Sequence, residues 1–232
     1  MDEPKIVYED KNFLGVYKPS GLLVHPINAN RERNAANWEQ TLADWLIKKY
    51  PEIKSVGDDP GTRPGIVHRL DRETSGIMLI PRNQEYFDYF KNLFKTRQIK
   101  KTYFALTAGK FKDGEGVIDK PIGIKSGSVK RSVHSEKMKK NAVTRYKVKK
   151  TSGAGEDCVS LVEVFPETGR THQIRVHLAS IGHPVLGDKL YGGKKGKQGA
   201  SRLMLHAHSI EFSLPSGSRM KLEVEPDASF LL

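Results

Sequence analysis

The chain has 232 residues, 37% hydrophobic and 28% charged, which are the proportions of a soluble globular protein long enough to bury a full core. Lys and Arg number 39 against 27 Asp and Glu, a formal charge of +12 that favours polyanionic partners, nucleic acid before an acidic membrane surface. The single cysteine, Cys158, excludes an intrachain disulfide; with no signal peptide and no apolar run of membrane-spanning length, the expected setting is cytoplasmic and off the membrane.

The first predicted elements are two short strands in KIVYEDKNFLGVYKP, placed around the Asp-Lys-Asn turn and ended by Pro19. INANRERNAAN, from residue 27, is polar and irregular and reads as a mobile loop. In WEQTLADWLIKKY, Leu42, Trp45, Leu46 and Tyr50 fall on one helical face. The Gly/Pro-rich VGDDPGTRPG leads into HRLDRETSG, and GIMLIP follows as a short buried strand. NQEYFDYFKNLFKTRQ reads as a helix, with Phe87, Phe90 and Phe94 at spacings of three and four. KKTYFALTAG, NAVTRYKVKK and CVSLVEVFP have the β-branched and aromatic content of strands.

Between them, KSGSVKRSVHSEKMKK at 125–140 is too basic and polar to pack, and reads as an insertion able to track a phosphate backbone or as a solvated loop. THQIRVHLASIG is expected to be helical with Ile174, Leu178 and Ile181 inward and Gly182 as its stop, opened by Thr168 and Gly169. SIEFSLPSGSRMKLEVE closes the chain as a hairpin. Strands outnumber helices and most connections look like hairpins. The expected class is therefore α+β, one domain over 1–232 built on a large, mixed, mostly antiparallel sheet with flanking helices.

Asp71 is the leading candidate for chemistry. Arg69 and Arg72 flank it and would keep the carboxylate ionised, ready to act as nucleophile or base, while Thr74, Ser75 and Gly76 suit a tight loop. The same letters also describe a solvated ion-pair run. In ETGRTHQIRVHLASIGHPVLGDKLYG the reading places Arg170, Thr171, His172, Gln173 and Arg175 in the first turns of a helix, a ready phosphate or carboxylate site, with Arg175 one turn beyond Thr171. A helix with a polar solvent face is the alternative. His172, His177, His183, His206 and His208 lack the spacing of a zinc pattern, so no metal is expected. Tyr103, Ala105 and Thr107 share one face of their strand and Thr102, Phe104 and Leu106 the more apolar other, which puts Tyr103 on the less buried side.

In this order these stretches resemble the RluA-type pseudouridine synthase family. YKPSGLLVHP is similar to its first motif, with Tyr17 where Asn is usual, and HRLDRETSG matches HRLDxxTSG throughout. KKTYFALTAG is similar to KxYxAxVxG with Thr107 for Val, TGRTHQIRVHLASIGHPVLGDKLYG matches the longest motif, and RLMLHAHSIEF is similar to the last. The resemblance implies the pseudouridine synthase fold with a central RNA-binding cleft. It implies a catalytic carboxylate at Asp71, a Tyr against the target base at Tyr103, and a basic partner for the carboxylate at Arg175. Arg69 matches a position proposed to enter the RNA where the uridine is flipped out, and Arg72, Thr74, Arg170 and His172 are expected to contact RNA beside it.

Isomerisation sheds no group or electron, so no cofactor is expected, and the implied partner of the monomer is a structured ribosomal or transfer RNA. TRPGIVHRLD is similar to the ribosomal branch, while the compact length also suits relatives acting on transfer RNA. The resemblance begins almost at the first residue, so the small N-terminal RNA-binding domain of many relatives is expected to be absent or not included. A catalytically idle RNA-binding or ribosome-assembly factor is one competing reading, against which intact Asp71, Tyr103 and Arg175 argue. An N-glycosylase releasing uracil is another.

Overall fold

The computed structural model describes residues 3–26, 40–125, 130–194, 196 and 200–230, and the chain divides into two compact units. The loop expected at 27–37 lies outside the described residues.

The first unit comprises Met1–Ile99 and Ile210–Val224. Strands β1 (Lys5–Glu9) and β2 (Phe13–Lys18) pair antiparallel as expected. Asp10 makes the turn between them: its Oδ1 accepts from the amides of Asn12 at 2.7 Å and Phe13 at 2.9 Å. Next, β2 pairs antiparallel with β3 (Ser75–Pro81), in a register running from Phe13 opposite Pro81 to Lys18 opposite Gly76. That register sets the ends of two sequence motifs side by side. Gly76 takes φ +125°, a value L side chains rarely adopt, which accounts for glycine at the end of HRLDRETSG.

Helix α1 (Leu42–Lys49) opens with a capping box in which Thr41 and Asp44 satisfy one another's backbone amides. Helix α2 (Gln84–Lys95) is capped by Asn83 and buries Phe87, Phe90 and Leu93. Phe13, Phe90 and Phe212 meet edge to face at 5.2–5.8 Å at the centre of this unit's core. The strand order here is β1-β2-β3, then β10 (Leu205–Ser213), with β11 (Arg219–Glu223) also paired to β10; the expected closing hairpin is present.

The second unit comprises Lys100–Ser209 and Glu225–Leu232. Its strands follow the order β10, β4 (Lys100–Ala108), β9 (Val159–Pro166), β8 (Val143–Ser152), β5 (Glu115–Asp119). The pairings of β4 with β9, β9 with β8 and β8 with β5 are all antiparallel. Helix α3 (Gln173–Ser180) packs on a core that includes Ala105, Leu106, Val162, Val164 and Leu205. The α+β class and the predominance of antiparallel pairing agree with the sequence.

Three local expectations do not hold. Tyr103 and Phe104 are both partly buried and both pack against the second core, because β4 has strands on either side and apolar cover on both faces. Helix α3 begins at Gln173, not at Thr168–Gly169: its N-cap, His172, is left-handed at φ 57°, so Arg170 and Thr171 lie in the preceding turn. Thr171 and Arg175 are accordingly not one helical turn apart. The segment 125–140 is not too polar to pack: β6 (Gly123–Ile124) pairs with β7 (Arg131–Ser132), and Val133 joins Ile122, Ala142, Val176 and Tyr191 in a small cluster. Lys137, Lys139 and Lys140 remain exposed.

Candidate functional site

In the first unit the residues Arg69, Asp71, Arg72 and Thr74 occupy one turn held from several sides. His68 precedes it; its Nε2 accepts the Leu79 amide at 2.9 Å and its ring stacks on Phe94 at 4.6 Å, which ties the turn to β3 and α2. The Thr74 amide donates to the Asp71 carbonyl at 3.1 Å, closing the turn, and Leu70, Thr74 and Ser75 are buried. Asp71, the first residue of the turn, is partly buried, while Arg69 and Arg72 are exposed.

The anchor of this turn is Lys18, whose side chain is fully buried. Its Nζ donates to the carbonyls of Pro19 at 2.8 Å, Leu22 at 2.9 Å and Arg72 at 3.0 Å. Burial pulls its pKa down to about 7, against which the nearby charges of Glu73 and Asp71 act. Three carbonyl acceptors match the three N–H donors of an ammonium, so the geometry favours the charged form more than burial alone would allow. Further bonds run between the same two loops: Ser20 Oγ donates to the Glu73 carbonyl at 2.7 Å, and the Gly21 amide to the Arg72 carbonyl at 2.9 Å. The flanking arginines expected to serve Asp71 have other contacts as well. Arg72 Nε donates to the Gly21 carbonyl at 3.0 Å, and Arg69 Nη1 lies 3.3 Å from His25 Nε2. His25 Nδ1 faces the Pro26 carbonyl, which only accepts, so the proton sits on Nδ1 and Nε2 receives Arg69. Burial, with Arg69 adding to it, holds this imidazole below its ordinary pKa.

In the second unit, Arg175 projects from α3 and is 6% exposed. Its guanidinium grips Asp188 in a two-pronged pair, Nε to Oδ2 at 2.7 Å and Nη2 to Oδ1 at 2.9 Å. Asp188 Oδ1 also accepts the amides of Leu190 and Tyr191. Burial raises the carboxyl's pKa, but the Arg175 bonds and charge and the two amides outweigh it and leave it below the ordinary value. Arg175 lies over the Tyr191 ring at 5.2 Å, and the Tyr191 hydroxyl accepts the Arg131 amide at 2.9 Å and meets His172 Nδ1 at 2.8 Å. Gly187, just before Asp188, has φ +72°, and a Cβ there would run into the Arg202 carbonyl.

Beneath this lies a buried polar chain. Gln173 Oε1 accepts from Thr168 Oγ1 at 2.6 Å and from the Arg170 amide at 3.0 Å, and its Nε2 donates to the Val143 carbonyl and to Thr144 Oγ1. Thr144 Oγ1 in turn lies 2.9 Å from His177 Nδ1, and His177 Nε2 lies 2.9 Å from the Lys120 carbonyl. A carbonyl cannot donate, so His177 carries its proton on Nε2 and receives Thr144 at Nδ1; burial keeps its pKa below the ordinary value, consistent with a neutral ring. All six residues from Gln173 to Leu178 are buried, so the reading of a polar solvent face on this helix is corrected. Tyr103 sits on β4, opposite Val164 of β9. Arg170 Nε donates to the Asn141 carbonyl at 3.0 Å.

The remaining histidines are dispersed. His183 stacks on Phe111 at 3.7 Å, His208 lies tilted against Phe104 at 4.5 Å, and His206 lies near Phe230. Among the described residues no three His, Cys, Asp or Glu stand together as a metal site would require. No helix among them is long and apolar enough to cross a membrane.

The sequence reading placed Asp71, Arg69, Arg72 and Thr74 on one turn and Arg170, His172 and Arg175 near one another, and so they are, each group within its own unit. Lys18, Asp188 and Tyr191 went unassigned. The first stood in YKPSG and the others in GDKLYG, inside matched motifs, but no local pattern marks a buried lysine or a partner 13 residues away.

The model of the family described as RNA pseudouridylate synthase matches residues 12–180. An uncharacterized RNA pseudouridine synthase of Aquifex aeolicus is 39% identical over 97% of this chain and 70% of its own length. The ribosomal large subunit pseudouridine synthase D of Borreliella burgdorferi is 32% identical over 98% of the chain. This chain spans 66% of that relative's length. Among solved structures, human RNA Pseudouridylate Synthase Domain Containing 1 superposes with a TM-score of 0.75 at 27% identity, over 97% of this chain and 84% of that one. Human RNA Pseudouridylate Synthase Domain Containing 4 gives 0.72 at 27% identity, over 97% and 90%. With the HRLDRETSG turn and the Arg175 helix inside the matched span, the chain belongs to the RNA pseudouridylate synthase family, of the RluA type, and so to the isomerases that act on RNA.

Proposed function

We propose that the chain converts specific uridines of ribosomal RNA to pseudouridine, with Asp71 as the catalytic carboxylate. The observation that carries this reading is the Asp71 turn itself. A partly buried carboxylate stands at the first residue of a turn whose backbone is pinned by Lys18, Ser20 and His68, so it is oriented before substrate arrives. Relatives named for the ribosomal large subunit favour ribosomal over transfer RNA.

The reaction breaks the N1–C1′ glycosidic bond, turns the uracil and joins its C5 to C1′. N1 gains a proton and C5 loses one, so atoms and charge balance without a co-reactant. Asp71 either attacks C1′ or removes the 2′ proton to give a glycal; both need it ionised. Tyr103 is assigned to the base and to the C5 proton, and Arg175 to the charge of the carboxylate. Arg69, Arg72, Thr74, Arg170 and His172 are assigned to the RNA around an extruded uridine, and the +12 charge to its phosphates. Mapping pseudouridine across ribosomal and transfer RNA from cells with and without the gene tests this. One or more ribosomal positions should lose the modification. An unchanged map, or loss confined to transfer RNA, contradicts it.

A further inference from the structure

Resting on that functional reading, we propose that Lys101 is a phosphate-binding residue that holds an RNA phosphodiester beside the nucleotide served by Tyr103. Lys101 lies two residues before Tyr103 on β4, so both side chains leave the same face of the strand. It is partly buried, and among the described residues its Nζ has no hydrogen-bond or ion-pair partner. That sets it apart from the other deeply placed cations, since Lys18 has three carbonyls and Arg175 has Asp188. An ammonium withdrawn from water without an acceptor is costly, and the family's substrate supplies only one anion, the phosphodiester.

The second observation is the space around the amino group. Nζ stands over Gly169, in the turn before α3: a Cβ built there would meet only Lys101 Nζ, at 3.9 Å, with nothing else within 4 Å. Gly169 is exposed and its φ is outside the left-handed region, so backbone strain does not demand glycine there. The missing side chain instead leaves the amino group an open approach. Arg170 and its neighbours sit at the rim of that opening, on the turn already assigned to RNA. Burial alone lowers the Lys101 pKa to about 8. RNA binding should then draw a proton onto the amine near that pH and weaken as pH rises through it.

The test is RNA affinity of the full chain, with transcribed large-subunit ribosomal RNA as probe, across pH 7–9 and a series of salt concentrations. Lys101→Ala should weaken binding about tenfold at pH 7, the loss expected for one charge-assisted contact. It should also reduce the salt slope by about one and flatten the pH dependence. Lys101→Arg should keep the affinity and carry it unchanged to pH 9, because its charge does not titrate. Gly169→Val should weaken binding at an unaltered melting temperature by covering the amino group. Lys101→Met should melt no lower than wild type, since it removes an unpaired charge. Wild-type affinity and salt slope in Lys101→Ala, with the wild type binding RNA normally, would overturn the Lys101 assignment alone; failure of the wild type to bind RNA would overturn it together with the functional reading.

Discussion

The two units hold their candidate residues with different materials. In the first, the Asp71 turn is held through the main chain: a buried ammonium and a serine hydroxyl reach backbone carbonyls, and Arg69, Arg72 and Glu73 are exposed. In the second, Arg175 is held through side chains, a carboxylate on one flank and a tyrosine ring on the other, over a chain of Gln, Thr and His. A turn fixed by carbonyls tolerates exchange of its surface residues. A buried side-chain network does not, because removing one member strands another.

The largest effect should follow Asp188→Ala, which removes the two-pronged acceptor of the 6% exposed Arg175 guanidinium. A loss of about 3–5 kcal/mol in unfolding free energy is expected, read by denaturant titration. A loss under about 1 kcal/mol, the scale of a surface ion pair, would show that the network is not held this way. Lys18→Met should be milder. It removes the buried charge's desolvation cost but takes Nζ from the Pro19, Leu22 and Arg72 carbonyls, of which Arg72 keeps the Gly21 amide, for a net loss of about 1–3 kcal/mol. Limited proteolysis should then cut within 68–74 sooner than in wild type. Equal protection of that turn would contradict the anchoring role.

The next contrast is in pH. The folded pKa of His177 lies below the ordinary 6.5, so below pH 6.5 the unfolded chain binds a proton that the native ring refuses. Stability is therefore full above that pH and falls on acidification beneath it. A series of thermal melts from pH 7.5 to 5 should show the decline, and His177→Leu should lessen its slope whatever it does to the plateau. His25 shifts the same way and accounts for part of what remains. The smallest effect belongs to Arg72→Ala in the first unit. Its side chain is 46% exposed, 3.8 Å from Glu73 and bonded at Nε to the Gly21 carbonyl, so the stability change should stay within about 1 kcal/mol. RNA affinity should drop while the melt does not; a lowered melt would make Arg72 part of the fold.

What could be read from the sequence follows the same division. Turn signals located β1 and β2, a short apolar run β3, helical spacing α2, and β-branched and aromatic content β4, β8 and β9, because these signals lie within each element's own letters. The Asp71 turn was legible because its determinants are contiguous: His68 at one end, Gly76 with φ +125° at the other. The start of α3 was not. Thr168 looks like an N-cap, but its hydroxyl is taken by the Gln173 side chain, and the chain enters the helix through a left-handed histidine. The packing of 125–140 was hidden for a related reason: the Arg131 amide finds its acceptor on Tyr191, 60 residues on. Nothing in YKPSG marks Lys18 as buried, and only the folded backbone supplies its three carbonyls.

The central claim is that Asp71 performs chemistry from a turn that stands without it. Asp71→Asn tests it most directly, with pseudouridine quantified in ribosomal RNA alongside a binding curve and a melt. The amide is nearly isosteric, and neither nucleophile nor base at neutral pH, so pseudouridine formation should be abolished while melting temperature and most RNA affinity persist. Substantial turnover by Asp71→Asn would contradict the account.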